Sequence, residues 1–146
     1  MRRKIAAGLA ALGVLLTAGC ETAIDMAVGS QIDGVWKGTF YCAYGLPFNT
    51  TLDLSLAGSA AMGKITLAVP KGNLDKPGPD TVFQSYTLNG TFDAPNLHLM
   101  LQPASWVEGV EPSHEMRPID ATLRGDGKTL ELKQMRGCTE TLLTKQ

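Results

Sequence analysis

Thr50-Thr51-Leu52-Asp53-Leu54-Ser55-Leu56 puts Thr50 and three leucines on one parity, and Thr51, Asp53 and Ser55 on the other. A strict period of two belongs to a strand with one face buried and the other wet. The same alternation recurs along the chain. Ile65-Leu67-Val69 runs up to Pro70, and Tyr86-Leu88-Gly90-Phe92 opposes Thr87, Asn89, Thr91 and Asp93. Leu97-Leu99-Leu101 opposes His98, Met100 and Gln102, and Ile119-Ala121-Leu123 opposes Asp120, Thr122 and Arg124. Leu130 and Leu132 flank Glu131, while Val35–Cys42 and Cys138–Thr144 form the outer strands of the series. Ala57-Gly58, Ala94-Pro95-Asn96 and Gly125-Asp126-Gly127 supply turns between them. Two stretches read as long loops by composition, Lys71–Asp80 and Pro103–Pro118. About eight short strands at near-regular spacing predict an all-β sandwich or barrel.

The 146 residues, 44% hydrophobic and 18% charged, hold one domain with a real core. The formal charge of −1 conceals an asymmetry: Arg2, Arg3 and Lys4 are the only charges before Glu21. Without those three, 10 basic residues stand against 14 acidic ones, a net of −4. Such a balance argues against nucleic acid as a partner.

Met1–Cys20 reads MRRKIAAGLAALGVLLTAGC: a cationic start, an apolar run from Ile5 to Leu16, then small residues. That is the plan of a secretory signal, with an apolar stretch too short to span a bilayer. Leu16-Thr17-Ala18-Gly19-Cys20 resembles the lipobox of bacterial lipoproteins. The resemblance implies cleavage after residue 19, acylation of Cys20, and a lipid bilayer as a partner. Glu21, in place of Asp, implies by the same analogy the periplasmic face of the outer membrane. Residues 20–32 are then a lipidated start and tether, with a helical turn around Ala23–Val28, and 33–146 are the folded domain.

With Cys20 taken by lipid, Cys42 and Cys138 remain. An even pair in an oxidising compartment reads as a disulfide, against a metal pair or a reactive thiol. Neither Cys sits in a CxxC, and His98 and His114 are not at ligand spacing from either. Cys42 ends the first strand and Cys138 begins the last, so their bond brings those strands together in the antiparallel sense. First pairing with last closes an even-stranded meander and removes its edges. A small antiparallel barrel is therefore expected, with a two-sheet sandwich as the alternative.

Gly34-Val35-Trp36-Lys37-Gly38-Thr39-Phe40 resembles the G-x-W-x-G start of lipocalin-type and avidin-type barrels. There the Trp plugs the closed end, and the glycines allow a kink and close packing. A broader resemblance covers Asp33–Lys145. It is carried by Gly34-x-Trp36-x-Gly38-x-Phe40-x-Cys42, Ser85-Tyr86-x-x-x-Gly90, Gly127-Lys128-x-Leu130 and Gly137-Cys138, and points to a bacterial extracytoplasmic β-domain of poorly characterised function. It supports the fold and implies no chemistry.

The chain has no G-x-S-x-G, H-E-x-x-H, Walker loop or dinucleotide fingerprint, so no cofactor is expected. The densest polar constellation is Trp106-Val107-Glu108-Gly109-Val110-Glu111-Pro112-Ser113-His114-Glu115. Three carboxylates and an imidazole are the groups that bind a cation or pair as a general base, but ligand sets normally draw on rigid elements and several chain segments, so a polar loop of solvated charges beside a packed Trp106 is the preferred reading. Tyr41, Tyr44, Phe48, Tyr86 and Trp106 are candidates to line a ligand mouth or to fill the core. The candidate binding set is Tyr44, Trp106, Glu108, Glu111 and His114, with no catalytic or metal residue assigned. The leading expectation is a non-enzymatic binding or accessory module, an inhibitor among the options, with an envelope protein as partner. A carrier of a small apolar ligand and an enzyme using the 106–115 loop are the alternatives.

Overall fold

The computed structural model describes residues 31–42, 46–73, 76–107, 115–133 and 138–146, with backbone alone for 46 and 69–82. Eight strands follow one another: β1 (Gly34–Cys42), β2 (Leu46–Ala57), β3 (Ala60–Asn73), β4 (Lys76–Asp93), β5 (His98–Trp106), β6 (Ile119–Leu123), β7 (Thr129–Leu132) and β8 (Thr141–Lys145). Each pairs antiparallel with the next, and β8 pairs with β1, so the sheet closes into a barrel and the sandwich is excluded. Closure gives every strand a neighbour on both sides. The Cys42–Cys138 disulfide is formed, as expected, and joins the end of β1 to the chain just ahead of β8.

The alternating pattern decides which way each strand faces. Inward parity collects Trp36, Phe40, Leu52, Leu54, Ile65, Leu88, Phe92, Leu99, Leu101, Ile119, Leu123, Leu130, Leu132 and Leu143, all at most 3% exposed. Their partners in sequence, such as Lys37, Asp53, Lys64 and Met100, point to water. An eight-stranded barrel is just wide enough to be filled by its own side chains. Near-zero accessible surface on every one of these groups means that they fill it.

One end is plugged. Trp36 is fully buried, and its Nε1 donates to Ile32 O (2.8 Å). Lys145 Nζ lies 5.6 Å from the ring centre and donates to Gln31 O. Ile32, expected to lie ahead of the folded domain, is itself fully buried among the core residues. An apolar side chain at the bottom of the barrel is worth more buried than spent in a linker. Asp33 Oδ1 then accepts from Leu56 N (2.6 Å), fixing the entry of the chain.

The two expected loops are shortened. Lys71–Asp80 is largely strand: β3 runs to Asn73 and β4 starts at Lys76, with a register shift between Pro70 and Gly72. β2 matches β3 only up to Ala68, and β5 matches β4 only from Tyr86 onward. The remainder is a two-stranded arm beyond the wall, where a proline lacks a ladder partner on its outer side and is tolerated. Likewise Pro103–Trp106 belong to β5, not to the second loop. Leu97, expected in a strand, closes the preceding turn instead at φ 52°, its N–H donating to Ala94 O (3.2 Å). The last strand starts at Thr141, and Cys138 makes only a lone bridge with Cys42. The turn expected at Ala23–Val28 lies outside the described residues.

Candidate functional site

The meander sorts its connections by end. The β2–β3, β4–β5 and β6–β7 turns lie at the plugged end with Gln31 and the final strand residues. The far ends of β1/β2, β3/β4, β5/β6 and β7/β8 gather at the opposite rim. Both stretches singled out from composition therefore begin and end at this one rim.

The rim half of the lumen differs in chemistry from the plugged half. Thr50, Gln84 and Thr141 are the buried polar side chains among the described residues, and by register all three lie toward the rim. Thr50 Oγ1 donates to Phe48 O (3.1 Å), and Thr141 Oγ1 donates to Thr39 O (3.4 Å). Tyr86 completes the set. Its ring is buried, but its hydroxyl donates to Arg117 O and accepts from Arg117 N, both at 3.1 Å. Burial pushes the Tyr86 phenol above its ordinary value, against the opposing pull of the Arg117 backbone bond and charge. Trp106 stands edge-on to Tyr86, ring centres 5.3 Å apart at 75°. Met116 packs against the core, and Arg117 Nη1 reaches within 3.8 Å of Cys138 Sγ.

Of the residues expected to bind, Trp106 is therefore a half-buried part of this cap. Tyr44, Glu108, Glu111 and His114 lie outside the described residues, as does Cys20. The aromatic set divides: Phe48 and Tyr86 are core, and Tyr41 faces outward, half exposed on the wall. Among the described residues no three His, Cys, Asp or Glu side chains stand together as a metal site.

Sequence reasoning missed Arg117 and Met116, which sit in irregular chain with no period to place them. It also missed a polar cluster on the outer wall. His98 Nε2 meets Asp120 Oδ1 at 2.7 Å, and Lys133 Nζ donates to Asp120 Oδ2 at 3.1 Å. Burial acts to raise the Asp120 carboxyl, but the bonds and charges of His98 and Lys133 outweigh it and hold it below the ordinary carboxylate range. Outward parity of His98 and Asp120 was visible; the register that makes them neighbours was not.

Fold and rim together define the class: a closed, filled, eight-stranded antiparallel barrel, stapled by a disulfide where its first and last strands meet. No protein-family model matches the chain, and no curated protein matches it in sequence.

Proposed function

We propose that this protein is a non-enzymatic binding module, anchored by lipid to the periplasmic face of the outer membrane and recognising an envelope protein through its loop rim. The observation that carries the reading is the polarity of the barrel. The lumen toward the plugged end is filled by apolar side chains around Trp36, while the buried polar side chains among the described residues and the Tyr86, Trp106 and Arg117 cluster lie toward the rim. Binding residues concentrate where irregular chain is held by a rigid scaffold.

The topology also supports an orientation. Gln31 joins the barrel at the plugged end, so the ten residues 21–30 tie that end to Cys20. Extended at ~3.5 Å per residue, they reach about 35 Å. An anchor joined at that end leaves the rim free to face the aqueous compartment. Acyl chains on Cys20, at about 0.8 kcal/mol per buried methylene, make such an anchor durable.

A carrier function is less well supported, because the lumen is occupied by the protein's own side chains. The enzyme reading depends on His114 and draws no support from the described residues.

Capture from envelope extract tests the proposal. Wild type should retain a partner that Trp106→Ala loses and that Lys128→Glu, at the plugged end, keeps. Equal recovery by all three forms would remove the rim from consideration. Palmitate labelling of wild type but not of Cys20→Ser checks the anchor separately.

A further inference from the structure

The seam that closes the barrel is held unevenly. Near the plugged end β1 and β8 pair at Trp36–Lys145 and Lys37–Thr144, and Gln146 N donates to Val35 O (2.9 Å). Toward the rim the regular pairing gives way. What remains among the described residues is Thr141 Oγ1 to Thr39 O, Thr139 N to Tyr41 O (2.9 Å), and the Cys42–Cys138 bond itself.

The two sulfurs are also in unlike surroundings. Cys138 is 5% exposed, with the Arg117 guanidinium 3.8 Å from its Sγ. Cys42 is only partly buried. In thiol–disulfide exchange the attacked sulfur must be reachable, and the better leaving group is the one whose thiolate is stabilised. Access favours attack at Cys42. A neighbouring guanidinium favours Cys138 as the thiolate that departs.

We propose that Cys42–Cys138 is a reducible latch of fixed polarity at the rim, opened by a protein or small-molecule dithiol. The dithiol's thiolate forms a bond to Cys42 Sγ as the Cys42–Cys138 bond breaks, and the electron pair leaves on Cys138 Sγ beside Arg117. The second thiolate of the reductant then displaces Cys42 Sγ from the mixed disulfide, and Cys42 takes a proton from water. The protein gains two electrons and the dithiol becomes a disulfide. Reduction removes the covalent tie from the rim half of the seam, where the described residues add the Cys42–Cys138 backbone bridge and the Thr139 and Thr141 bonds, and leaves the Trp36 end closed. Opening would reshape the rim beneath Arg117 and Tyr86. This chemistry goes beyond the binding reading and does not depend on it.

The full chain is treated briefly with glutathione and quenched with acid, which traps the mixed disulfide before a second thiol or the freed cysteine resolves it, then alkylated, digested and mapped by mass spectrometry. Adducts on Cys42 should exceed those on Cys138 by about tenfold, the leaving-group preference that stabilisation of one thiolate confers. Equal adducts, or a majority on Cys138, would overturn the polarity. Arg117→Gln should slow reduction by dithiothreitol about tenfold and bring the adduct ratio toward one, with Arg117→Lys between. An unchanged rate and ratio would sink the role of Arg117. If Arg117→Gln does not fold, the wild-type adduct ratio still decides. Hydrogen exchange of the reduced protein reads the opening. The Thr139 amide should lose protection while the Gln146 amide keeps it; loss at both, or at neither, overturns the latch.

Discussion

The hydroxyl of Tyr86 serves both backbone groups of Arg117, accepting from its N–H and donating to its carbonyl. Tyr86→Phe leaves both without that partner in a partly buried place, so a loss of about 1–3 kcal/mol is expected in urea denaturation. The pH dependence of stability carries a second signature. Burial raises the Tyr86 pKa, so the folded state holds the proton more tightly than the unfolded one. The contribution is complete below about pH 10, the ordinary phenol value, and is lost as pH rises through the folded value. Tyr86→Phe should flatten that alkaline limb relative to wild type. Gly90 is a second decisive residue: a Cβ there would collide with the Met100 carbonyl on β5. Gly90→Ala should cost at least the ~1–3 kcal/mol typical of overpacking, because backbone cannot yield as a side-chain tip does. A thermal melt at neutral pH checks it; an unchanged midpoint would contradict the close approach of β4 and β5.

Among the elements, β5, β6 and the residue just after β7 carry the outer cluster of His98, Asp120 and Lys133. The Asp120 carboxyl is held below its ordinary range, so its contribution is present above about pH 4 and fades as pH falls through the folded value. Asp120 is 38% exposed, so solvent screening limits the effect to the ~0.2–1 kcal/mol of surface pairs. Asp120→Asn should therefore lower stability slightly at pH 7 and weaken the acid limb, measured as urea midpoints from pH 7 to 2. An acid limb as steep as that of wild type would show that other carboxylates carry it. Parity of side chains was legible in every one of these strands because the period of two is local. Strand length was less so. Prolines at 70, 77 and 79 argue for a loop by composition, yet an arm outside the wall accepts them, since its outer sides need no ladder bond. Gly38 was legible as a site of close packing: β8 crosses directly over it.

For the whole molecule, closure is the controlling fact. The disulfide joins residues 96 apart in sequence, which on the chain-entropy model corresponds to about 4–5 kcal/mol as an upper figure. Cys42→Ser/Cys138→Ser should lower the denaturation midpoint substantially, with the loss in calorimetry approaching but not exceeding that value. A double variant as stable as wild type would show that the β1–β8 seam needs no staple. A filled lumen makes a further expectation concrete. Native mass spectrometry of the purified domain should give the bare protein mass, and a co-purifying apolar ligand would contradict a lumen packed by Leu, Phe and Trp side chains.

By itself the sequence determined the alternation and the turns between most strands, and raised the expectation that Cys42 pairs with Cys138. Each is written in neighbouring residues or in the arithmetic of three cysteines. Only the tertiary structure decided which residues share a rim. Tyr86, Trp106, Arg117 and Cys138 come from four separate stretches, and register across strands, not spacing along the chain, puts them together. The same register sealed the lumen, drew Ile32 into the core, and turned an even count of cysteines into a seam with two unlike sulfurs.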